Sequence, residues 1–220
     1  MSWLNQKIKL KLEDYPTKWV LTQDCGIKGA KQFARFETYN KMINYLNNNK
    51  NKALYEVIQT VSVPCFMYFD IDLPDTENRT DYIVNIFKNI LAEFLANKYH
   101  IIIELHEGEN CEIAIASTDK KCSIHFIGKI VLPNISTHKL FTVEFIDYII
   151  QCNTLESKEL LFINNKQEVQ CAIDTSVYSN FRSYRCLTME KEGKHNFLRA
   201  YGDSSKEIAD HMVCSKRTLS

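Results

Sequence analysis

The chain has 220 residues, of which 45% are hydrophobic and 25% charged, a composition that favours a single compact folded unit. Its 27 lysine and arginine residues balance 27 aspartate and glutamate residues, so net charge provides no general attraction to nucleic acid or to an anionic membrane. No segment approaches the ~18 consecutive apolar residues of a membrane-spanning helix, and we expect no membrane partner. Any anionic ligand must be held by a local group of basic side chains.

The start of the chain, MSWLNQKIKLKLEDYPTKW, lacks the apolar segment of a secretory signal. We therefore expect an intracellular protein, located in the nucleus, mitochondrion, cytoplasm or a viral replication site, and not a secreted one. The eight cysteines are interpreted as reduced thiols in such a compartment.

The order of apolar and polar residues predicts an α+β fold with antiparallel or mixed sheets, because strands and helices alternate without a regular βαβ rhythm. The predicted strands are KWVLTQ (18–23), KQFARF (31–36), ALYEVIQ (53–59), PCFMYFDI (64–71), EIAIAS (112–117), KCSIHFIG (121–128), QCAID (170–174) and SYRCLTME (183–190). The predicted helices are 38–48, 80–97 with Thr80 as its N-terminal cap, 137–152, and a helical tail at 204–213. Turns are predicted at 25–29 and 118–120.

An acidic pair ends the apolar stretch FMYFDIDLPD (66–75). Asp70 and Asp72 are two residues apart, so they lie on one face of a strand. Adjacent carboxylates raise each other's pKa unless a cation lies between them, and hard oxygen ligands suit Mg²⁺ or Mn²⁺. The alternative is that the strand frays into a polar loop in which both aspartates are solvated. Asp75 is expected to be a solvated loop residue.

A second polar pair occurs in KCSIHFIG, where Ser123 and His125 share one face of the predicted strand. The alternative is a core histidine whose hydrogen bonds are satisfied internally. Cys122 and His125 also resemble half of a zinc site, with His211 and Cys214 as the candidate other half, but a strand directs Cys122 and His125 to opposite faces, so no zinc is expected. Ser123 lacks the sharp turn and the neighbouring glycine of a nucleophilic serine.

The third feature is IDTSVYSNFRSYR (173–185), in which Asp174 ends a predicted strand and basic residues follow at intervals. Arg182 and Arg185 flank Tyr184, an arrangement that can bind phosphates and stack a base. The alternative is a charged surface hairpin. Clustered carboxylates together with a histidine and arginines are what two-metal phosphoryl transfer requires.

The order Asp-x-Asp, Ser-x-His and apolar-Asp resembles the archaeo-eukaryotic primase superfamily, and the details resemble its PrimPol branch. The resemblance is carried by LYEVIQ (54–59), MYFDIDL (67–73), KCSIHFIG (121–128) and IDTSVYSNFRSYR (173–185). It implies a catalytic core with an RRM-like mixed sheet at about 63–220 and a smaller N-terminal α/β module at about 1–62. It also implies a single-stranded DNA template, NTPs or dNTPs, two divalent metal ions and, as possible partners, a helicase or other replication proteins.

By this resemblance Asp70, Asp72 and Asp174 are the catalytic metal ligands. The implied nucleotide contacts are Tyr55, Lys121, Ser123, His125, Arg182, Ser183, Arg185 and Lys191. Tyr55 matches the position beside the incoming sugar. The family's template-binding arginine is out of register here, and the corresponding residues are Lys31, Gln32 and Arg35.

The sequence also departs from the family pattern. Asp72 replaces a common glutamate, which still ligates metal, and Ser183 replaces a common asparagine. The cysteine-rich zinc module of many relatives is not seen, which favours either a minimal enzyme or the catalytic fragment of a longer primase or primase-helicase. The function expected is a DNA primase or primase-polymerase in replication or damage tolerance. A metal-dependent nuclease and a non-catalytic single-stranded nucleic-acid-binding module are the alternatives.

Overall fold

The computed structural model describes residues 3–5, 19–24, 30–58, 63–75, 77–179 and 181–214. The predicted turn at 25–29 lies outside these ranges. The strands are β1 (Leu4–Asn5), β2 (Trp19–Asp24), β3 (Lys31–Phe36), β4 (Leu54–Ile58), β5 (Cys65–Pro74), β6 (Cys111–Ile115), β7 (Lys121–Leu132), β8 (Leu161–Ile163), β9 (Val169–Cys171), β10 (Arg182–Arg185) and β11 (Arg199–Ala200). The helices are α1 (Tyr39–Asn47), α2 (Thr80–Tyr99), α3 (Ile135–Cys152) and α4 (Leu155–Lys158). The predicted α+β class is confirmed.

Two main sheets organise the described residues, and every named strand pair in them is antiparallel. Sheet A has the strand order β1-β3-β2-β4-β10, and sheet B has the order β11-β6-β7-β5. Strands β8 and β9 form a separate hairpin. The predicted division near residue 62 stays a prediction, but sheet A takes its strand β10 from far beyond that point.

Sheet B contains the long strands that were predicted around the two polar pairs. β5 and β7 pair over their whole common length, with an irregularity between Phe66 and Met67. The predicted hairpin between β6 and β7 is confirmed, since Ile115 pairs with Ile124 and the chain turns between Thr118 and Lys121.

The larger apolar core lies between sheet B and helices α2 and α3. Phe69 of β5 contacts Phe87 of α2 and Phe145 of α3, with ring centroids 5.2 and 5.5 Å apart. Aromatic side chains of this size each contribute roughly 1.5–3 kcal/mol when they are fully buried. The packing therefore fixes one face of β5 firmly, while the opposite face of the strand is free to carry polar side chains.

A second core lies between sheet A and helix α1, where Met42 and Leu46 are fully buried. Helix α1 begins after Thr38, whose hydroxyl accepts the N–H of Lys41, as expected for a capping threonine. The apolar face of this helix packs against sheet A.

The predicted cap of α2 is wrong. Arg79, not Thr80, occupies the capping position and makes no side-chain capping bond, while the Thr80 hydroxyl donates to Ser117 Oγ at 3.0 Å. The N–H of Arg79 is instead accepted by Asp75 at 2.7 Å. Asp75 is 3% exposed, so its predicted role as a solvated loop residue is also wrong.

Three further predictions differ in extent. The strand predicted at 183–190 is regular only as β10, because the chain turns away at Thr188, whose φ is +66°. The predicted helical tail contains only a short 3-10 helix, Ile208–His211. Of the strand predicted at 170–174, only the first two residues belong to β9, which ends at Cys171. Residues 172–174 instead lie along β5.

Candidate functional site

The register between β5 and β7 brings the two predicted polar pairs together. Asp70 lies opposite His125 and Asp72 lies opposite Ser123. Because side chains alternate along a strand, all four lie on one face of sheet B, while Ile71 and its apolar neighbours face the core. His125 Nε2 is 3.7 Å from Asp70 Oδ1. Neither aspartate belongs to a frayed loop, which excludes the fraying alternative.

Asp174 reaches the same place by pairing with the free edge of β5. The N–H of Asp72 donates to the Ala172 carbonyl and the N–H of Asp174 donates to the Asp70 carbonyl, both at 2.8 Å. The Asp174 carboxylate accepts the N–H and the hydroxyl of Ser176 at 2.8 and 3.0 Å. A carboxylate has about four acceptor positions, so Asp174 is oriented and still keeps capacity for another ligand.

The basic residues arrive from sheet A. Arg185 on β10 pairs with Tyr55 on β4, and its side chain is buried, with Nη1 donating to the Asn196 carbonyl at 3.0 Å. Arg182 is exposed, and its Nε donates to Ser179 Oγ at 2.8 Å. The charged cluster is thus assembled at the junction between the two sheets.

These residues enclose a cavity of about 200 Å³, called here the small cavity. Its wall includes all the residues predicted to bind metal or nucleotide except Lys121. Lys121 lies next to it, with Nζ 2.7 Å from Asp72 Oδ2. The cavity therefore gathers residues from five predicted elements that are far apart in the sequence.

Burial and charge both disfavour ionised groups in the small cavity. Burial, followed by the neighbouring carboxylates Asp72 and Asp174, raises the pKa of Asp70 to about 7. Burial, followed by the positive charges of Arg185 and Lys191, lowers the pKa of His125 well below its ordinary range. Asp70 and His125 are therefore not a preformed ion pair, and the imidazole is neutral near pH 7.

Among the described residues, three buried polar atoms around this cavity have no hydrogen-bond partner: Asp72 Oδ1, His125 Nδ1 and Arg185 Nε. Buried polar atoms are normally satisfied, and a cluster of exceptions is typical of a ligand site. Within the described ranges, no group of three or more His, Cys, Asp and Glu side chains is already arranged around a metal position. The present geometry explains this, since Asp72 is directed to Lys121 and Asp174 to Ser176.

The donor set nevertheless fits a divalent cation of the Mg²⁺ or Mn²⁺ kind. Three carboxylates line the small cavity, one of them, Asp70, has a pKa that is raised partly by the other two, and one carboxylate oxygen has no partner among the described residues. A divalent cation would remove the repulsion and satisfy that oxygen with hard ligands. Asp70, Asp72 and Asp174 are the residues that would hold it.

Three buried tyrosines support the site, and their role was not predicted. Tyr178 and Tyr184 donate their hydroxyl protons to the carbonyls of Tyr68 and Phe69, at 2.8 and 3.2 Å. The Tyr68 hydroxyl donates to the Val177 carbonyl at 3.1 Å. The Tyr184 ring also lies against the His125 ring, with centroids 4.4 Å apart. Two tyrosines in IDTSVYSNFRSYR were the available signal, but their partners on β5 cannot be inferred from spacing.

Tyr55 is also held firmly at the edge of the cavity. Its hydroxyl donates to Asp24 Oδ2 at 2.7 Å, and Lys31 Nζ lies 4.3 Å from its ring centroid. Burial, followed by the hydrogen bond to Asp24, raises the pKa of Tyr55. Because its hydroxyl is bound to Asp24, Tyr55 is expected to contact a ligand in the small cavity through its aromatic ring.

The residues predicted to contact template lie on β3. Lys31 and Arg35 occupy the same face of sheet A as Tyr55, whereas Gln32 lies on the opposite face and accepts the side-chain N–H of Gln23 at 2.9 Å. Among the described residues, the wall of the small cavity includes none of these three. Their role stays a prediction.

The two halves of the zinc interpretation do not share a site. Cys122 is fully buried, whereas His125 lines the small cavity. His211 Nε2 lies 2.7 Å from the Ser205 carbonyl. The alternation along β7 therefore separates the ligands that a shared tetrahedral site would need.

The chain was compared with protein families and with curated proteins. No protein-family model matches the chain, and no curated protein matches it significantly. None of the helices in the described ranges is both long enough and apolar enough to span a membrane.

Proposed function

We propose that this protein is a template-dependent nucleotidyltransferase, a DNA primase or primase-polymerase that joins NTPs or dNTPs on single-stranded DNA. One observation carries the proposal: a single cavity combines three converging carboxylates with His125, Arg182 and Arg185. Carboxylates alone suit many metal enzymes. Carboxylates facing a group of phosphate-binding donors suit the transfer of a phosphoryl group.

The carboxylate side of the cavity supplies the metal ligands. Divalent cations, when bound to Asp70, Asp72 and Asp174, offset the charge that develops on the attacking and leaving oxygens. The strand pairing holds Asp70 and Asp72 on a rigid sheet, and Ser176 orients Asp174. Rigid positioning is what phosphoryl transfer requires most from a protein.

The basic side of the cavity supplies donors for the triphosphate. Arg185 Nε and His125 Nδ1 have no partner, and a neutral imidazole can donate from one ring nitrogen. Lys191 and Arg182 line the same wall. The volume of about 200 Å³ is below the ~300 Å³ of typical small-molecule pockets, so it accommodates the phosphates and leaves the base outside.

The proposed reaction is the usual nucleotidyl transfer. The 3′-oxygen of the acceptor forms a bond to the α-phosphorus, and the bond from that phosphorus to the bridging oxygen breaks. Pyrophosphate leaves with the bonding electron pair, and the hydroxyl proton passes to water. In the proposed reaction Arg185 and His125 donate hydrogen bonds to the leaving phosphates.

The resemblance to the archaeo-eukaryotic primase superfamily supports the same function. From this resemblance we infer that the template is single-stranded DNA, that sheet B is RRM-like and that replication proteins are partners. Tyr55 at the cavity edge is suited to contact the sugar of the incoming nucleotide. Lys31 and Arg35 on the Tyr55 face of sheet A are suited to contact the template.

The decisive experiment incubates the protein with single-stranded DNA, labelled ATP or dNTPs, and Mg²⁺ or Mn²⁺, with and without an annealed primer. We expect new oligonucleotides or primer extension. Cutting of the template without synthesis would replace the proposal by a nuclease. Binding of DNA without turnover would replace it by a non-catalytic module. Asp70→Asn, checked for an unchanged circular dichroism spectrum, controls for a contaminating polymerase.

A further inference from the structure

A second cavity, of about 470 Å³, lies beside the small cavity and is called here the large cavity. It is enclosed by the end of β5, the start of β7 and the hairpin of β8 and β9. Asp72 and Asp174 belong to the walls of both cavities. A ligand in the large cavity would therefore lie against the same carboxylates as a ligand in the small one.

The two cavities differ in charge. Arg182, Arg185 and Lys191 line the small cavity. The large cavity has Lys120 and Lys121, and Lys121 is already 2.7 Å from Asp72. Of the described residues that line the large cavity, Lys120 is the one remaining cation available to an anion. The small cavity is thus matched to a polyanion, and the large cavity to a ligand carrying about one negative charge.

The hairpin gives the large cavity an aromatic wall. Phe162 on β8 pairs with Gln170 on β9, and both side chains line the cavity. Near the hairpin tip Ile163 and Val169 are 65% and 69% exposed, and side-chain alternation places this pair on the opposite face of the hairpin from Phe162 and Gln170. An aromatic ring next to an amide suits a nucleobase, whose flat face stacks and whose edge accepts and donates hydrogen bonds.

We propose that the large cavity holds the acceptor nucleotide, the terminal nucleotide of a strand whose 3′-hydroxyl attacks the α-phosphorus in the small cavity. Phe162 stacks on its base, Gln170 contacts the base edge, and Lys120 contacts its single phosphodiester. This inference rests on the proposed function and adds the acceptor site to it. The volume of about 470 Å³ lies within the ~300–1,000 Å³ range of sites that bury a small molecule.

The acceptor reacts by the same nucleotidyl transfer. The acceptor's 3′-oxygen bonds to the α-phosphorus, the bond to the pyrophosphate oxygen breaks, and the proton passes to water. Asp72 and Asp174 lie between the two reactants because both cavities include them. The acceptor and the triphosphate can then approach from opposite sides of the shared carboxylates.

The test separates the two substrates kinetically. Phe162→Leu keeps an apolar side chain for packing but removes the flat ring, Phe162→Tyr retains the ring, and Ile163→Ala on the same hairpin is the matched control. At saturating dNTP, Phe162→Leu should raise the KM for an annealed primer about tenfold, the effect expected for losing one stacked base. Phe162→Tyr and Ile163→Ala should stay within about twofold of the wild type. The KM for dNTP, measured at saturating primer, should not change.

A photochemical test does not depend on turnover. A primer ending in 4-thiothymidine, annealed to its template, is irradiated with the full chain, and the linked peptide is mapped by mass spectrometry. We expect linkage within 159–174, lost when the modified base lies several nucleotides upstream. Linkage elsewhere, or equal primer KM in wild type and Phe162→Leu, overturns the acceptor site even if synthesis occurs. If the wild type does not synthesise DNA or RNA, the proposed function is overturned. If the primer then still crosslinks to the hairpin, the hairpin binds nucleic acid, but its role as an acceptor site is overturned too.

Discussion

Two sets of carboxylates on sheet B have opposite surroundings. Asp75 and Glu112 are almost completely buried and are satisfied by fixed partners. Asp75 accepts two backbone N–H groups, and Glu112 accepts the N–H of Ser205 at 2.7 Å while Lys129 Nζ lies 2.8 Å away. Asp70 and Asp72 are more exposed and yet less satisfied, since Asp72 Oδ1 has no partner and Asp70 lies among other acids.

The pKa values reflect the same contrast. Burial alone would raise the pKa of Asp75, but the N–H groups of Glu77 and Arg79 and the Arg79 guanidinium outweigh it and lower that pKa. For Asp70, burial and the neighbouring carboxylates act in the same direction and raise the pKa to about 7. A structural carboxylate is surrounded by donors, whereas a ligand-binding carboxylate lacks them until the ligand arrives.

The largest expected effect separates activity from stability. Asp70→Asn should lower synthesis on the order of 1,000-fold, because it removes a charged ligand from the reacting centre. It should not lower the free energy of unfolding, because it removes repulsion among three acids. The matched Glu112→Gln should lower the free energy of unfolding, measured by urea denaturation. It should leave the synthesis activity per folded molecule unchanged. If Asp70→Asn destabilised the fold as Glu112→Gln does, the contrast between the two sets would be lost.

Glu56 provides an intermediate case, since it is buried and its two oxygens accept the N–H groups of Val213 and Cys214. Burial outweighs these bonds and raises its pKa from 4.5 to about 7. The folded state therefore holds the proton more tightly than the unfolded chain, and its stabilising contribution is lost as pH rises from about 4.5 to about 7.

We therefore expect the stability of the wild type relative to Glu56→Gln to fall between pH 5 and pH 8, by at most about 3 kcal/mol. Urea denaturation of both proteins at the two pH values measures this difference, and other titrating groups cancel in the comparison. A difference that is independent of pH would mean that Glu56 is ionised throughout.

Asp75 tests the structural set directly. Asp75→Ala leaves the N–H groups of Glu77 and Arg79 without an acceptor and should lower the free energy of unfolding by about 2 kcal/mol. Glu77→Ala is the control, because its side chain is 73% exposed, and it should change stability by less than about 0.5 kcal/mol. Equal stabilities for the two variants would restore the solvated role first expected for Asp75.

The smallest effect concerns His125. His125→Ala should raise the KM for the incoming nucleotide about tenfold with a smaller change in kcat, because one phosphate donor is lost. Steady-state kinetics at saturating template measures both constants. An unchanged KM would instead favour a histidine that serves only the core and its packing against Tyr184.

Much of the site could be predicted because it depends on local periodicity. The alternation in FMYFDID and KCSIHFIG already fixed which residues share a face, and the register of β5 with β7 agrees with it. Asp75 could not be predicted in the same way. Asp75 follows Pro74, the last residue of β5, and the backbone donors that bury Asp75 belong to a turn whose geometry spacing does not reveal.

The sequence by itself determined the α+β class, the main strands and helices, and the residue types from which the candidate site is built. Only the tertiary structure decided that residues 172–174 pair with the edge of β5, that β10 completes sheet A, and that two cavities share Asp72 and Asp174. The physical reason is the sequence separation between the residues that interact. Side-chain alternation is a property of neighbouring residues, whereas edge pairing and cavity walls depend on contacts between segments more than 100 residues apart, such as Tyr184 with Phe69.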